Sequence, residues 1–151
     1  ERLLIEELGP VDLRSPLLPF DFTDYYAGEM GTGLKRRWIA FSGLRERGYL
    51  AQAKHAAVIL ENRLSSDGRR TVNIDPGYVD DAQVVLSTAK NFAHRIYIGK
   101  GYYAEVTMFC MRTGLQALEW TYPDYKGEKG REFFEKVRGA YHRQLRSGDA
   151  G

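Results

Sequence analysis

Apolar residues recur at helical spacing in three stretches of the chain, and each stretch predicts an amphipathic helix. The first ends at the breaker pair Gly9-Pro10, and the second ends at the turn-forming residues 65–68. Between them, Pro16 and Pro19 predict an extended segment at 11–22. The apolar positions are Leu3, Leu4, Ile5 and Leu8, then Tyr49, Leu50, Ala53, Ala57, Leu60 and Leu64, and finally Phe133, Phe134, Val137, Tyr141 and Leu145.

Runs rich in β-branched and aromatic residues predict strands that follow one another instead of alternating with helices. We predict strands at 34–41, 70–75, 82–88 and 115–122, and a hairpin at 94–110 around Gly99-Lys100-Gly101. This order favours an α+β fold, with a mostly antiparallel sheet and helices packed on one face. Glu1 lies inside a helical pattern and no Met precedes it, so we expect residues 1–151 to be a single domain that lacks an N-terminal strand. With that strand, the first half fits a ferredoxin-like β-α-β-β-α-β core extended by a β-meander.

Alternation within the hairpin predicts which side chains share a face of the sheet. A three-residue loop would pair Ile98 with Tyr102 and place Arg95 opposite Glu105. The core face would then carry His94, Ile96, Ile98, Tyr102, Ala104, Val106, Met108 and Cys110, and the open face Arg95, Tyr97, Tyr103, Glu105, Thr107 and Phe109. The pair formed by Arg95 and Glu105 has two interpretations. It is either an exposed cross-strand ion pair worth about 0.2–1 kcal/mol, or an anion-binding arginine oriented by its carboxylate partner.

Composition narrows the class of protein. The 151 residues include 22 basic and 20 acidic ones, and a net charge of +2 argues against a basic coat for non-specific nucleic-acid binding. Cys110 is the only cysteine, which excludes an intrachain disulfide, and its apolar neighbours predict that it is buried. The sequence has no signal peptide and no run of roughly 20 apolar residues. We therefore expect a cytoplasmic protein.

Glycine-rich segments of this chain do not form known nucleotide-binding motifs. In GEMGTGLKR, Leu34 precedes Lys35, and Arg36 stands where the Ser or Thr of a phosphate loop should follow the lysine. The glycines at 99–101 lack the third glycine and the helix of a dinucleotide fingerprint. A magnesium site remains open, because magnesium needs only one or two carboxylates in addition to ligand phosphates.

Several separated segments mix aromatic with charged residues, a composition that suits neither a core strand nor a solvated loop. They are PFDFTDYYAGEMG at 19–31, NIDPGY at 73–78, the segment 87–107 and EWTYPDY at 119–125. Aromatic walls with a few convergent polar groups are typical of small-ligand pockets. In the structural alternative, the acids cap turns, as Asp75 would before Pro-Gly, and the aromatics pack a small core.

The motifs at 19–31, 73–78, 94–107 and 120–125 together resemble the bacterial and archaeal family called domain of unknown function 4416. The resemblance spans nearly the whole chain, and the four motifs occur in order. Members of that family usually begin with a further hydrophobic strand, and some carry the label GTP-binding protein. The resemblance implies a fold unit and a set of motif positions, and it implies no mechanism.

We expect these segments to meet in one site for a phosphate-bearing, nucleotide-like small ligand, used by a hydrolase or transferase. Candidate catalytic residues are Asp75 or Glu105 as general base, and Arg95 with Lys90 as charge stabilisers. Candidate ligand-binding residues are Asp21, Thr23, Asp24, Tyr25, Glu29, Tyr78, His94, Tyr97, Trp120, Tyr122, Asp124 and Tyr125. The alternative is a non-catalytic module that binds RNA or a protein partner with the same aromatic and acidic face.

Overall fold

The structure, a computed structural model, describes residues 1–148. In chain order its elements are α1 (Arg2–Leu8), β1 (Val11–Arg14), β2 (Leu18–Pro19), α2 (Ala27–Met30), β3 (Lys35–Arg36), β4 (Ile39–Phe41), α3 (Leu50–Arg63), β5 (Gly77–Val79), β6 (Gln83–Thr88), β7 (Ile96–Gly99), β8 (Tyr102–Met111), β9 (Gly114–Ala117), α4 (Pro123–Lys126) and α5 (Glu128–Ser147). The three predicted helices correspond to α1, α3 and α5. None of the helices within residues 1–148 is both long and apolar enough to cross a membrane.

The main sheet contains β5 to β9 and is antiparallel throughout. Its order is β5-β6-β8-β7, and β9 pairs with the second half of β8. The α+β class with an antiparallel sheet is therefore confirmed. These five strands follow one another without an intervening helix. In this sheet β6 pairs with β8 and not with β7, so the strand order departs from the expected meander. The described residues do not form the ferredoxin-like core either, because that core has helices between its strands.

The first four strands form a separate, nested ribbon. Its β1 pairs with β4, and its β2 pairs with β3, both antiparallel. We predicted one strand at 34–41, but the structure has two short strands there. Trp38 lies between β3 and β4, opposite the segment with Pro16 that separates β1 from β2. At this point the Trp38 N–H donates to Ser15 Oγ at 2.9 Å. The ribbon ends in a loop, residues 20–34, that carries the first aromatic and acidic segment.

Helices cover both faces of the main sheet, not one face as expected. Val84 and Val85 are neighbours in β6 and both are buried, and neighbouring residues of a strand point to opposite faces. Val84 packs in the core cluster with Phe133 of α5. On the other face, Tyr102 of β8 hydrogen-bonds His55 of α3. The sheet is therefore the middle layer between α3 and α5.

A bulge at Thr107 reverses the faces of β8 partway along its length. Val84 pairs with Met108 while Val85 pairs with Val106, so Thr107 is an extra residue in β8. Before the bulge, the even-numbered residues of β8 face α3, and after it they face α5. Our prediction that one apolar face continues along the whole of this strand is therefore wrong. Cys110, beyond the bulge, is buried as expected.

The hairpin of β7 and β8 keeps the predicted register in two residue pairs and changes its loop. The confirmed pairs are Ile96 with Ala104 and Tyr97 with Tyr103. Gly99, not Ile98, pairs with Tyr102, so the loop is two residues long and Ile98 is an extra residue in β7. That extra residue cancels the register shift that a two-residue loop would otherwise impose.

Two residues predicted for the core face of the hairpin lie elsewhere. Ile96 is 71% exposed because β7 is an edge strand. His94 precedes β7, so strand alternation does not apply to it, and it contacts Glu105 instead of the core.

The predicted strand at 70–75 and the second part of the strand predicted at 115–122 are irregular segments, because side chains accept hydrogen bonds from their backbone N–H groups. The Ile74 N–H donates to Glu61 Oε1 of α3 at 2.5 Å instead of to a neighbouring strand. The Leu118 N–H donates to Thr121 Oγ1 at 2.7 Å, and this turn ends the run of β9. Both segments thereby become available to carry site residues.

Candidate functional site

The bulge in β8 determines where Trp120 and Tyr122 lie. Around Thr107, the β8 carbonyls on the side of β7 and β9 have no strand partner. The segment after β9 returns to β8 and donates hydrogen bonds to them. Trp120 donates from Nε1 to the Val106 carbonyl at 2.8 Å, and the Thr121 hydroxyl donates to the Thr107 carbonyl. The segment after β9 is thereby fastened across β8, beside Glu105.

Glu105 is a buried carboxylate that binds two cationic or proton-donating neighbours. Its side chain is 3% exposed, and it faces α5 because it pairs with Leu86 of the core cluster. Arg95 donates from Nε to Glu105 Oε2 at 2.7 Å, and His94 Nε2 lies 3.1 Å from the same oxygen. The predicted contact between Arg95 and Glu105 is confirmed, but it is buried instead of exposed. Removing either partner would leave an uncompensated buried charge.

Aromatic rings fix the orientation of His94. Its ring stacks on Trp120, with centroids 4.5 Å apart and planes 14° apart. Phe92 lies edge-on to the His94 ring, with centroids 5.3 Å apart. We call Glu105, Arg95, His94 and Trp120 the Glu105 cluster. The outer rings of the stack are open, since Phe92 is 64% and Trp120 is 40% exposed.

The loop of the ribbon is anchored on either side of this region. Glu29 accepts hydrogen bonds from Arg70 Nε and Nη2, each at 2.8 Å, and these bonds lower the pKa of Glu29 to about 2. Lys90 donates to the Tyr25 hydroxyl, and its ammonium lies 4.0 Å from the centroid of that ring. The loop therefore bridges the segment before β5 and the segment before β7.

Asp75 lies just before β5 and connects the sheet to α3. Lys54 donates from Nζ to Asp75 Oδ1 at 3.2 Å and to the Ile74 carbonyl at 2.8 Å. Asn73 donates to the other carboxylate oxygen at 2.7 Å. Lys54 is 5% exposed, and a buried ammonium needs such partners. The Asp75 side chain is 34% exposed and therefore remains accessible to a ligand.

Two partly buried tyrosines respond to the charge of Asp75. Burial, followed by the negative charge of Asp75, raises the pKa of Tyr26. Burial, followed by Glu105 and then Asp75, raises the pKa of Tyr122, while Arg95 opposes the rise. Charges act this way only over short distances. The Asp75 carboxylate therefore acts on both tyrosines, and Tyr122 also responds to the charge of Glu105.

A cavity opens beside this point. Tyr26, Arg36 and Asp75 line a volume of about 1160 Å³ between the ribbon and α3 with α5. We call these three residues the Asp75 wall. Arg36 pairs with Asp124 at 2.5 Å and lies 4.4 Å from the centroid of the Phe20 ring. A space of this size accommodates a drug-sized ligand.

The predicted site residues fall into two groups. The first group lies in or beside the Glu105 cluster and the Asp75 wall, and it contains Lys90, His94, Arg95, Glu105, Trp120, Tyr122 and Asp75. Tyr25 and Glu29 anchor the ribbon loop above them. Asp21, Thr23 and Asp24 are exposed on that loop. The structure therefore gathers residues from all the aromatic and charged segments.

The remaining predicted residues lie apart or are structural. Tyr78 pairs with Val85, and it lines both the cavity beside Asp75 and a smaller cavity next to α3. Tyr97 is 60% exposed on the edge strand. Asp124 is buried against Arg36, and burial, partly offset by that charge, raises its pKa. Tyr125 is 4% exposed and belongs to the core, so the sequence pattern overestimated its availability.

Sequence reasoning missed the cations that hold the site together, namely Arg36, Lys54 and Arg70. One signal was available for Lys54. It lies seven positions before Glu61 on α3, and both interrupt the apolar stripe at positions that should be buried. Charged residues on a buried stripe indicate partners from elsewhere in the chain. Arg36 and Arg70 lie in irregular or very short segments that give no such signal.

Metal ligation is not preformed in this region. Across residues 1–148, no group of three or more His, Cys, Asp and Glu side chains is arranged to hold a metal ion. Magnesium would therefore need ligand phosphates in addition to Asp75.

The chain belongs to the family described as Domain of unknown function (DUF4416), whose sequence model matches residues 1–141. No curated protein and no solved structure matches the chain.

Proposed function

We propose that this member of the DUF4416 family binds a nucleotide-like ligand between the Glu105 cluster and the Asp75 wall, as a hydrolase or transferase. The observation that carries the proposal is the cavity of about 1160 Å³ in which Asp75 and Arg36 lie beside the ring of Tyr26. Separated segments thus supply a carboxylate, a guanidinium and an aromatic ring to one space. Convergent polar groups with aromatic walls are typical of small-ligand sites.

Arg95 is the residue best placed to bind a phosphate. Its Nε donates to Glu105, and its Nη1 donates to the Lys90 carbonyl at 3.0 Å. Its Nη2 forms no hydrogen bond with any residue of the described chain. A guanidinium that is oriented by a carboxylate and keeps free N–H groups binds phosphate oxygens well.

The aromatic side chains suit the base of a nucleotide. Tyr26 lines the cavity, and Trp120 and Tyr122 are 40% and 44% exposed, so their rings remain accessible. Stacking on an aromatic ring contributes about 1–3 kcal/mol per base and tolerates different bases. Asp75 is the accessible carboxylate that could hold magnesium together with the ligand phosphates.

The test uses isothermal titration calorimetry with ATP, GTP, CTP and UTP, each with and without magnesium. We expect at least one nucleotide to bind the wild-type chain. Arg95→Lys keeps the charge next to Glu105 but loses the planar fork of donors. Losing a charge-assisted contact to phosphate should cost about 1.5–3 kcal/mol, which is about ten- to a hundredfold in affinity.

The control is Arg131→Lys. Arg131 also donates from Nε, to the Lys126 carbonyl at 2.9 Å, and it is not among the residues that line the cavity. We expect it to leave nucleotide affinity unchanged. Absence of binding by all four nucleotides, or equal affinities for wild type and Arg95→Lys, would contradict the proposal.

A non-catalytic module that binds RNA with the same aromatic face is the second candidate. The observation that favours it is the exposure of Phe92, at 64%, next to the stack of His94 and Trp120. Open aromatic rings bind single-stranded nucleic acid without sequence preference. Fluorescence anisotropy with labelled oligo(U) and oligo(A) separates the two candidate functions. A pocket for one nucleotide should show little increase in affinity for a longer strand.

A further inference from the structure

His94 is held by a buried carboxylate in a way that fixes its tautomer. Its Nε2 lies 3.1 Å from Glu105 Oε2, and the Glu105 side chain is 3% exposed and also bound by Arg95. An ionised carboxylate only accepts hydrogen bonds, so Nε2 of a neutral His94 must carry the proton. Nδ1 is then the nitrogen with the free lone pair.

Nδ1 of His94 is open to a reacting group. It forms no hydrogen bond within residues 1–148, and it is not among the buried polar atoms that lack a partner. The His94 side chain is 17% exposed. The atom therefore reaches solvent while stacking on Trp120 keeps the ring in one orientation.

The two other histidines differ from this arrangement. His55 uses its Nδ1 to contact the Tyr102 hydroxyl at 3.1 Å. His142 pairs with Asp81 at 3.3 Å, but both side chains are well exposed, at 37% and 65%. Only His94, within the described chain, combines a buried carboxylate on one ring nitrogen with an accessible second nitrogen.

We infer that His94 is the general base of a hydrolytic reaction at the nucleotide site, and that Glu105 is its positioning residue. This inference rests on the proposed function, and it transfers the role of base from Asp75 or Glu105 to His94. Glu105 is unsuited to contact a substrate because it is buried under Arg95 and His94. A base oriented by a third group is the general arrangement for activating a nucleophile.

The step is the attack of water on the terminal phosphorus of a nucleoside triphosphate. Nδ1 takes a proton from the water as its oxygen forms a bond to phosphorus. The bond from that phosphorus to the bridging oxygen breaks, and its electron pair leaves with the nucleoside diphosphate. Inorganic phosphate is the second product, and the proton on Nδ1 passes to solvent.

The experiment measures phosphate release from ATP, GTP, CTP and UTP in the presence of magnesium, by the wild-type chain and by His94→Asn. Loss of a general base lowers kcat by about 10²- to 10⁴-fold. We expect that loss for His94→Asn, with the dissociation constant of the bound nucleotide changed by less than about threefold. Glu105→Gln should also lower kcat more than it weakens binding, as expected of a positioning residue.

Two further variants separate chemistry from folding. In His94→Ala, added imidazole should restore part of the rate, which a purely structural histidine would not show. His142→Asn, which removes the exposed carboxylate-paired histidine, should retain the wild-type rate.

Nucleotide binding by the wild-type chain without phosphate release overturns the inference and leaves the proposed function intact. Absence of binding overturns both. A His94→Asn or His94→Ala chain that retains the wild-type rate also overturns the inference.

Discussion

Buried and half-buried ions in this chain find their partners far away in the sequence. Glu29 and Arg70 form a bidentate pair across a separation of 41 positions, and Lys54 reaches the segment before β5. Each such pair fixes an irregular segment that has no strand partner. At the scale of single residues, ionic contacts therefore position these irregular segments, as backbone hydrogen bonds between strands position the rest of the fold.

The pair of Glu29 and Arg70 predicts a pH-dependent contribution to stability. Hydrogen bonds from Arg70 lower the pKa of Glu29 from 4.5 to about 2. A carboxyl group with a lowered pKa stabilises the folded state above its unfolded pKa, and this contribution is lost as pH falls through the folded pKa. The melting temperature of the wild type should exceed that of Glu29→Gln at pH 6, and the difference should shrink between pH 4.5 and about pH 2. A difference that is constant over this range would contradict the prediction.

Individual elements show which parts of the fold the sequence predicts and why. The register of Tyr97 with Tyr103 follows from alternation over a short turn, which is local information. The bulge at Thr107 results from pairing with β6, and the irregular segment at 70–75 results from Glu61 of α3, so neither has a local signal. For the same reason, composition pointed to the segments that carry the candidate site but not to Lys54, which binds Asp75 from a helix.

Close packing of α4 against α5 depends on Gly130. A Cβ atom at this position would lie 2.4 Å from the Asp124 carbonyl oxygen and 2.9 Å from the Tyr125 Cα. Both are backbone atoms that cannot move without displacing α4, so Gly130→Ala should destabilise the chain by about 1–3 kcal/mol in urea unfolding. Gly139 lies on the same helix, and a Cβ there makes only an ordinary contact, at 3.5 Å from Arg143. Gly139→Ala should be neutral or stabilising by up to about 1 kcal/mol, and an equal loss in both variants would refute the packing explanation.

Taken as a whole, the molecule brings its candidate site together from the ribbon loop, the segment before β5, the start of the β7–β8 hairpin and the segment after β9. Hydrogen bonds join the ribbon loop to the segments before β5 and β7, and the segment after β9 is bound to β8 beside Glu105. No single element of the described chain contains the site. Its integrity therefore depends on the packing of the ribbon against the main sheet.

Whether Asp75 lies close to Tyr26 and Tyr122 can be measured without a ligand. Asp75 contributes to the raised pKa values of both Tyr26 and Tyr122, after burial in each case. Asp75→Asn should lower both pKa values, as followed by NMR titration of chains labelled at the tyrosine Cζ carbon. Asp81→Asn is the control, because burial and then Asp81 raise the pKa of Tyr141, whereas Asp81 is not among the charges that act on Tyr26 or Tyr122. A Tyr122 titration that is unchanged in Asp75→Asn would show that the segments do not meet.

The anchoring of the ribbon loop has a consequence during synthesis. Lys90 follows Tyr25 by 65 positions, so at about 5–20 residues per second the loop waits about 3 to 13 seconds for its second anchor on the ribosome. During that time its aromatic rings lack the contact with Lys90 and can pack only on nearby residues, including one another. Charged residues next to apolar stretches oppose aggregation. The acids interleaved at Asp21, Asp24 and Glu29 thereby give the nascent segment a means to stay dissolved until the rest of the chain arrives.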